Sequence, residues 1–149
     1  MSIAQSKAGT RDFESVKVFE AAPDAVLAAL TSSEAINQWW GLTVGSPARG
    51  QRFEVGFGGE RRIDMEAVRD GPSRVEWYVH WSPFTPEWAG TSIVFELAPA
   101  GAGTELRFSH RGLTPELECF DMCHEGWTHY LTSLVDYVDR GEGQPYRGE

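Results

Sequence analysis

"TSIVFELAPAGAGTELRFSH", residues 91–110, decides the fold class. Apolar side chains recur at every second position in residues 91–97 and again in residues 104–110, which is the period of a strand with one buried face. The intervening "APAGAG" has the glycine and proline content of a tight turn. The stretch therefore predicts two antiparallel strands joined as a hairpin.

The same two-residue period occurs in four earlier segments, which are residues 13–21, 52–57, 61–70 and 74–81. Residues 22–41 instead have helical spacing, with Pro23 at the start and Gly41 at the end, and predict two short helices. Residues 116–140 have the spacing of one long helix that Gly141 ends. This order predicts an α+β fold: a curved six-stranded antiparallel sheet wrapped around a long C-terminal helix, with two short helices between strands 1 and 2.

The composition is that of one globular domain. The chain has 149 residues, of which 41% are hydrophobic and 12% aromatic, and this is enough for a single core. We expect one domain over residues 13–140, with residues 1–12 and 141–149 as flexible tails. Six Trp and eight Phe indicate either a large core or an aromatic-lined cavity.

The charge and the apolar pattern exclude several classes of partner. With 13 basic and 22 acidic residues the net charge is −9, which disfavours nucleic acid and acidic membrane surfaces. No apolar run approaches the roughly 20 residues of a membrane span. The N-terminus lacks the apolar core of a signal peptide, and two cysteines without an export signal predict a reducing cytoplasm.

Residues 118–131, "ECFDMCHEGWTHYL", contain the residue types of a metal site or a catalytic cluster. On a helix, which turns by about 100° per residue, His124 and His129 point about 140° apart, so one ion cannot bind both. Cys119 and Cys123 share a face but bring no further ligands. We therefore expect no metal and no cofactor, and we interpret the cysteines as small apolar residues on the buried face.

The helix wheel gives an inward stripe that contains Cys119, Cys123, Gly126 and Tyr130, with Trp127 on its flank. Gly126 is unusual there, because a glycine inside a helix costs about 1 kcal/mol relative to alanine. It indicates either a close contact between helix and sheet or room for a ligand beneath the helix. Both interpretations stay open.

His110 is the polar residue that stands out on the sheet. Its parity places it on the face of Leu106 and Phe108, at a strand end that faces the long helix. It is either a structural histidine bonded to backbone, or a polar anchor or acid/base at the mouth of an apolar pocket.

The chain is similar to the helix-grip superfamily, which includes the START and birch-pollen-allergen domains. Within it, the chain resembles the family named for the C-terminal domain of the activator of Hsp90 ATPase. The motifs that carry the resemblance run in family order over residues 13–140 and are "APDAVLAAL", "INQWWG", "VEWYVHW", "GTSIVFEL", "GAGTELRFSHRGL" and "GWTHYLTSLVDYV". The resemblance implies a curved antiparallel sheet around the C-terminal helix, with an apolar cavity between them. Relatives in the wider superfamily bind lipids, hormones and polyketides, and some catalyse cyclisation, dehydration or hydrolysis, so the fold does not fix the activity.

The leading hypothesis is binding of a small, largely apolar molecule, lipid-like or polycyclic, between the sheet and the C-terminal helix. The residues expected to contact it are Trp40, Trp77, Val79, Trp81, Ile93, Phe95, Phe108, His110, Cys119, Cys123, Gly126, Trp127 and Tyr130. The alternative is a cyclase- or hydrolase-type enzyme that uses the same cavity, with His110 as acid or base. A chaperone-interaction module that docks through the acidic outer face of the long helix ranks last, and a homodimer is left open.

Overall fold

The computed structural model describes residues 13–57, 62–82, 88–112 and 120–145, with the side chains of residues 120–123 left out. The three helices in these ranges are α1 (Pro23–Leu30), α2 (Ser33–Trp39) and α3 (Phe120–Arg140). The strands are β1 (Phe13–Phe19), β2 (Leu42–Gly45), β3 (Arg52–Gly56), β4 (Arg62–Asp70), β5 (Arg74–Trp81), β6 (Ser92–Ala100) and β7 (Gly103–Arg111). The part of the predicted long helix that precedes Phe120 lies outside the described residues.

The strands form one antiparallel sheet in the order β1-β7-β6-β5-β4-β3-β2. The α+β class and the hairpin of residues 91–110 are confirmed, whereas the count of six strands is wrong because β2 adds a seventh. β2 has only four residues and lies at the edge of the sheet, where Leu42 and Val44 are exposed. A strand this short, with no buried face, with Gly41 before it and with Gly45 as its last residue, has too little pattern to be detected in the sequence.

α3 packs on the sheet through a face centred on Trp127, Leu131 and Leu134, which are all buried. The predicted centre of that face is wrong, because Gly126 and Tyr130 are only partly buried and lie at its margin. The largest apolar side chains occupy the centre since they remove the most surface from water. Cys119 and the side chain of Cys123 lie outside the described residues.

Trp81 faces away from α3, contrary to its predicted place among the ligand contacts. In β5, Val79 pairs with Met65 and Trp81 pairs with Asp64, so two steps along β5 correspond to one step along β4. The extra residue, His80, forms a β-bulge that reverses the parity of the strand. Trp81 is therefore 49% exposed although Val79 is fully buried.

The corner between α2 and β2 requires a glycine at position 41. A Cβ atom on Gly41 would lie 2.8 Å from the carbonyl oxygen of Gly56 and 3.0 Å from the ring of Phe57. This close approach holds Trp40, the residue before it, against the end of β3. Ser133 of α3 holds the same corner from the other side, because its hydroxyl donates to the carbonyl oxygen of Trp39 at 2.8 Å.

The C-terminal end of α3 is held by hydrogen bonds that backbone N–H groups donate. Gly141 has a φ of 81°, which suits a helix C-terminus, and its N–H donates to the carbonyl oxygen of Tyr137. The backbone N–H of Gln144 donates to Ser133 Oγ at 2.6 Å, so residues 142–145 return along the helix. Asp139 accepts hydrogen bonds from the backbone N–H groups of Glu20 and Ala21, at 2.9 and 3.1 Å. Among the described residues, no helix is both long and apolar enough to cross a membrane.

Candidate functional site

The indole of Trp40 is the centre of an aromatic cluster between the sheet and α3. Its ring lies parallel to that of Trp77, with centroids 5.8 Å apart and an interplanar angle of 11°. It also contacts Trp127 of α3 at 5.1 Å and Phe57, just beyond β3, at 6.1 Å. Trp39 also stacks with it, at a centroid distance of 5.6 Å. Residues of α2, β5 and α3 thus meet at Trp40, which the sequence analysis predicts as a ligand contact.

The predicted sheet contacts lie together but form a filled core. On β5, β6 and β7, the predicted apolar contacts that are 0–1% exposed are Trp77, Val79, Ile93, Phe95 and Phe108. Phe95 packs edge-on against Trp77 and Phe108, with centroids 4.9 and 5.2 Å apart. These rings make the contacts of a close-packed interior, so this part of the predicted cavity is occupied by side chains.

Two hollows occur elsewhere on the described surface. A groove of about 770 Å³ lies between α1, α2 and the C-terminal end of α3, and alanines form much of its wall. A smaller hollow of about 210 Å³ lies on the outer side of β1, β6 and β7. Neither lies between the inner face of the sheet and α3, where the sequence predicts the cavity.

His110 is fully buried and has hydrogen-bond partners on both ring nitrogens. Trp127 Nε1 donates to His110 Nδ1 at 3.0 Å, and His110 Nε2 lies 2.8 Å from Thr91 Oγ1. Thr91 Oγ1 in turn donates to the carbonyl oxygen of Trp88 at 2.6 Å. The chain of bonds joins α3, the end of β7 and the turn before β6.

The direction of these bonds fixes the protonation of His110. An indole N–H can only donate, so His110 Nδ1 is an acceptor and the ring hydrogen is on Nε2. His110 Nε2–H therefore donates to Thr91 Oγ1, whose own hydrogen goes to Trp88. Desolvation by burial lowers the pKa of His110 from 6.5 to about 3. The imidazole is neutral and both nitrogens are in use, which favours the structural interpretation of His110. Its bonds go to side chains and not, as that interpretation expected, to backbone.

Trp77 carries the one buried side-chain polar atom without a hydrogen-bond partner among the described residues, its indole Nε1. Its ring is fully buried in the cluster. A buried donor without an acceptor costs about 1–3 kcal/mol. The site therefore contains a polar group that the described part of the protein does not satisfy.

Gly126 adjoins unfilled space. A Cβ atom placed on it would meet no atom within 4 Å among the described residues, although the position is partly buried. The interpretation that Gly126 permits a close helix–sheet contact is therefore wrong. Tyr130, one helical turn further along, packs against Phe57 at a centroid distance of 5.9 Å. The helix thus has a gap at Gly126, one helical turn from this aromatic pair.

Three members of the site were not identified in the sequence as contacts: Phe57, Trp88 and Thr91. Trp88 stacks on Trp127 with an interplanar angle of 6° and a centroid distance of 5.9 Å. It comes from the proline-containing loop before β6, where no periodicity locates a side chain. Thr91 has the parity of Ile93, and this was the available signal that it faces inward beside His110.

The segment that resembled a metal site separates its histidines. His124 lies against Phe13 with ring centroids 5.0 Å apart, whereas His129 Nε2 donates to the carbonyl oxygen of Gln144 at 3.1 Å. Within the ranges that the structure describes, no group of three His, Cys, Asp or Glu side chains could hold a metal ion.

The family model described as activator of Hsp90 ATPase homolog 1-like protein matches residues 20–139. Among solved structures, the Aha1 dimer from Colwellia psychrerythraea is 25% identical, with a TM-score of 0.76 over 89% of this chain and 99% of that one. Protein MLL2253 from Mesorhizobium loti is 24% identical, with a TM-score of 0.74 over 89% and 99% of the two chains. CalU16 from Micromonospora echinospora is 21% identical, with a TM-score of 0.70 over 88% and 75%. A comparison with curated proteins gives no match.

Proposed function

Since the chain belongs to the family of activator of Hsp90 ATPase homolog 1-like proteins, we propose that it binds a small, largely apolar molecule between the sheet and α3. The ligand lies at the N-terminal half of α3, beside Gly126, and not across the whole inner face of the sheet. The filled core of Trp77, Phe95 and Phe108 excludes the wider position.

The observation that carries the proposal is the gap at Gly126. Mid-helix glycine is unfavourable by about 1 kcal/mol relative to alanine. Neither a close contact nor a positive φ requires it here, since a Cβ atom would meet nothing. Of the two interpretations that the sequence allowed, the open space at Gly126 supports room for a bound molecule beside the helix.

The wall beside the gap has the chemistry of an apolar site. Tyr130 and Phe57 contact each other at its edge, and Trp40 contacts Phe57 from within. Flat aromatic faces provide large contact areas to a flat or lipid-like ligand. Of the charged groups of α3, Glu125 is exposed and Asp139 binds the backbone N–H groups of Glu20 and Ala21.

Catalysis through His110 has less support than binding. A general acid or base must exchange a proton with the ligand near the working pH. The pKa of His110 is lowered to about 3 by burial, and both ring nitrogens bond to protein groups. The chaperone-interaction hypothesis is weakened in turn, because Asp139 of the acidic helix face is used to bind the chain before α1.

The test is binding of uncharged polycyclic probes, such as anthracene and fluorene, measured by quenching of Trp fluorescence and by the thermal unfolding midpoint. We expect saturable quenching by at least one probe and a higher midpoint in its presence. Substitution Gly126→Leu fills the gap and should abolish the effect.

The matched control is Thr128→Leu, which adds the same side chain at an exposed position of the same helix. It should leave probe binding unchanged. Binding to the Gly126→Leu protein with wild-type affinity, or no binding of any probe to the wild type, would show that the proposal is wrong.

A further inference from the structure

The larger of the two hollows lies away from the sheet, and three helices form its walls. This groove of about 770 Å³ is lined by one face of α1, one face of α2 and the end of α3. Ala25 and Ala28 of α1 are exposed in it, and Val138 of α3 is half-buried. The groove therefore presents apolar surface to solvent, and no described element covers it.

The elements that line this groove are strongly acidic. Residues 20–41, which include α1 and α2, contain three acidic residues and no Lys, Arg or His. Residues 130–145 also contain three acidic residues, with Arg140 as their one basic residue. The one charged residue of the described lining is Glu34. A cation therefore meets complementary charge in the groove, and an anion does not.

Three local features stabilise positive charge in the groove. The carboxylate of Glu34 makes no ion pair with a described residue. The last turn of α3 brings the negative end of a 21-residue helix to the groove at Gly141. Tyr137 also lines the groove, and an aromatic ring attracts a cation that lies over its face. At the start of α2, the N–H of Ala35 is not left for an anion, because it donates to Ser32 Oγ at 3.3 Å.

We propose that this groove is a second binding site, which takes a small organic cation with an apolar group, such as an alkylated ammonium. The apolar group lies against the alanines of α1, and the cationic group lies beside Glu34. A fully alkylated ammonium has no N–H to satisfy, so a carboxylate and an aromatic ring are enough to bind it. Gly126 precedes Tyr137 by eleven residues of α3, about 16 Å along the helix axis. The two proposed sites are therefore separate.

The experiment compares three probes that share a benzene ring and differ in charge: benzyltrimethylammonium, benzyl alcohol and benzenesulfonate. We expect the ammonium compound to bind most tightly, by about two- to fivefold over the alcohol, which is the range of one exposed ion pair. In an NMR titration, its addition should shift the backbone amide resonances of Ala25, Ala28 and Ala35. The preference for the cation should decrease at high salt, because the groove is open to solvent.

Four substitutions separate the parts of the site from net charge and from the site at Gly126. Glu34→Gln should lower the affinity for the cation to that for the alcohol. The control Glu14→Gln makes the same change in net charge at an exposed position of β1 and should keep the preference. Ala28→Leu fills the groove from an exposed position and should abolish binding of both probes. Gly126→Leu should leave their binding unchanged.

Equal affinities for the three probes would overturn the inference, as would a preference for the cation that Glu34→Gln does not remove. Resonance shifts that lie outside the groove would overturn it as well. None of these outcomes bears on the site at Gly126, which the anthracene and fluorene titrations test separately.

Discussion

The indole N–H of Trp127 donates to Nδ1 of His110 at 3.0 Å, and this single contact determines how a buried histidine is protonated. Because Nδ1 accepts, the hydrogen must be on Nε2, where Thr91 receives it. The imidazole thereby links α3 to the sheet by two directed hydrogen bonds. A residue whose type suggests acid–base chemistry instead fastens the helix to the sheet.

The first prediction concerns pH. The pKa of His110 is lowered by burial from 6.5 to about 3, so between these values the unfolded chain binds a proton that the folded chain does not. The stability is therefore full above pH 6.5 and falls as the pH decreases toward 3. Relative to a His110→Gln variant, which does not titrate, the wild type should lose about 2 kcal/mol between pH 7.5 and pH 5.

Urea unfolding of both proteins at the two pH values measures this difference. The contribution of the carboxylates is the same in both proteins and cancels in the comparison. Glutamine can still accept from Trp127 and donate to Thr91, so the comparison isolates the effect of the proton that His110 can bind. Parallel losses in the two proteins would contradict a buried neutral histidine.

The second prediction concerns Thr91. Thr91→Val keeps the shape but leaves His110 Nε2–H without its acceptor, whereas the carbonyl oxygen of Trp88 keeps the backbone N–H of Thr91. We expect the free energy of unfolding to fall by about 2–3 kcal/mol. Thr91→Ser keeps the hydroxyl and should lose less than half as much. Equal losses for the two variants in urea titrations would mean that the methyl group, not the hydroxyl, is what matters.

The third prediction contrasts two glycines. A Cβ atom on Gly41 would lie 2.8 Å from the backbone oxygen of Gly56, so Gly41→Ala should destabilise the protein by about 1–3 kcal/mol. At Gly126 the same atom meets open space, and Gly126→Ala should stabilise by up to about 1 kcal/mol, since alanine favours the helix. If both substitutions shift the thermal unfolding midpoint in the same direction, the two glycines do not have the different surroundings described above.

The fourth prediction concerns two tryptophans. Trp81→Ala removes a side chain that is 49% exposed on the outer face and should cost less than about 1 kcal/mol. Trp40→Ala removes the centre of the aromatic cluster and should cost about 3–5 kcal/mol. Denaturant unfolding compares them directly. A large loss at Trp81 would be inconsistent with the bulge at His80.

The sequence predicts most of the sheet because alternation is a local property of each strand. Phe95 and Phe108 are correctly placed inward, since the period of two is unbroken through β6 and β7. The inward prediction for Trp81 is wrong because one extra residue at a bulge reverses the parity of the strand. The sequence "VHW" contains no glycine or proline that would indicate a bulge. The edge strand β2 escapes detection since its two apolar residues face solvent.

The site was less predictable, because it depends on contacts between distant residues. Parity brings His110 to the inner face, but its partners Thr91 and Trp127 are 19 and 17 positions away. No local pattern shows that all the hydrogen-bonding groups of this trio are paired. Similarly, the unpaired N–H of Trp77 appears only when every neighbour of the ring is known.

The pairing of β1 with β7 has a consequence for synthesis of the chain. Phe13 pairs with His110 and Phe19 with Thr104, so the first strand cannot join the sheet until the last strand, β7, has left the ribosome. β2 to β7, by contrast, pair with their neighbours in sequence order and can assemble as they emerge. Closing such a long loop carries an entropic cost and delays folding. In a circular permutant that begins at β2, with β1, α1 and α2 joined behind the C-terminus, β7 would be synthesised before β1. The strand β1 could then pair with β7 as soon as it emerged.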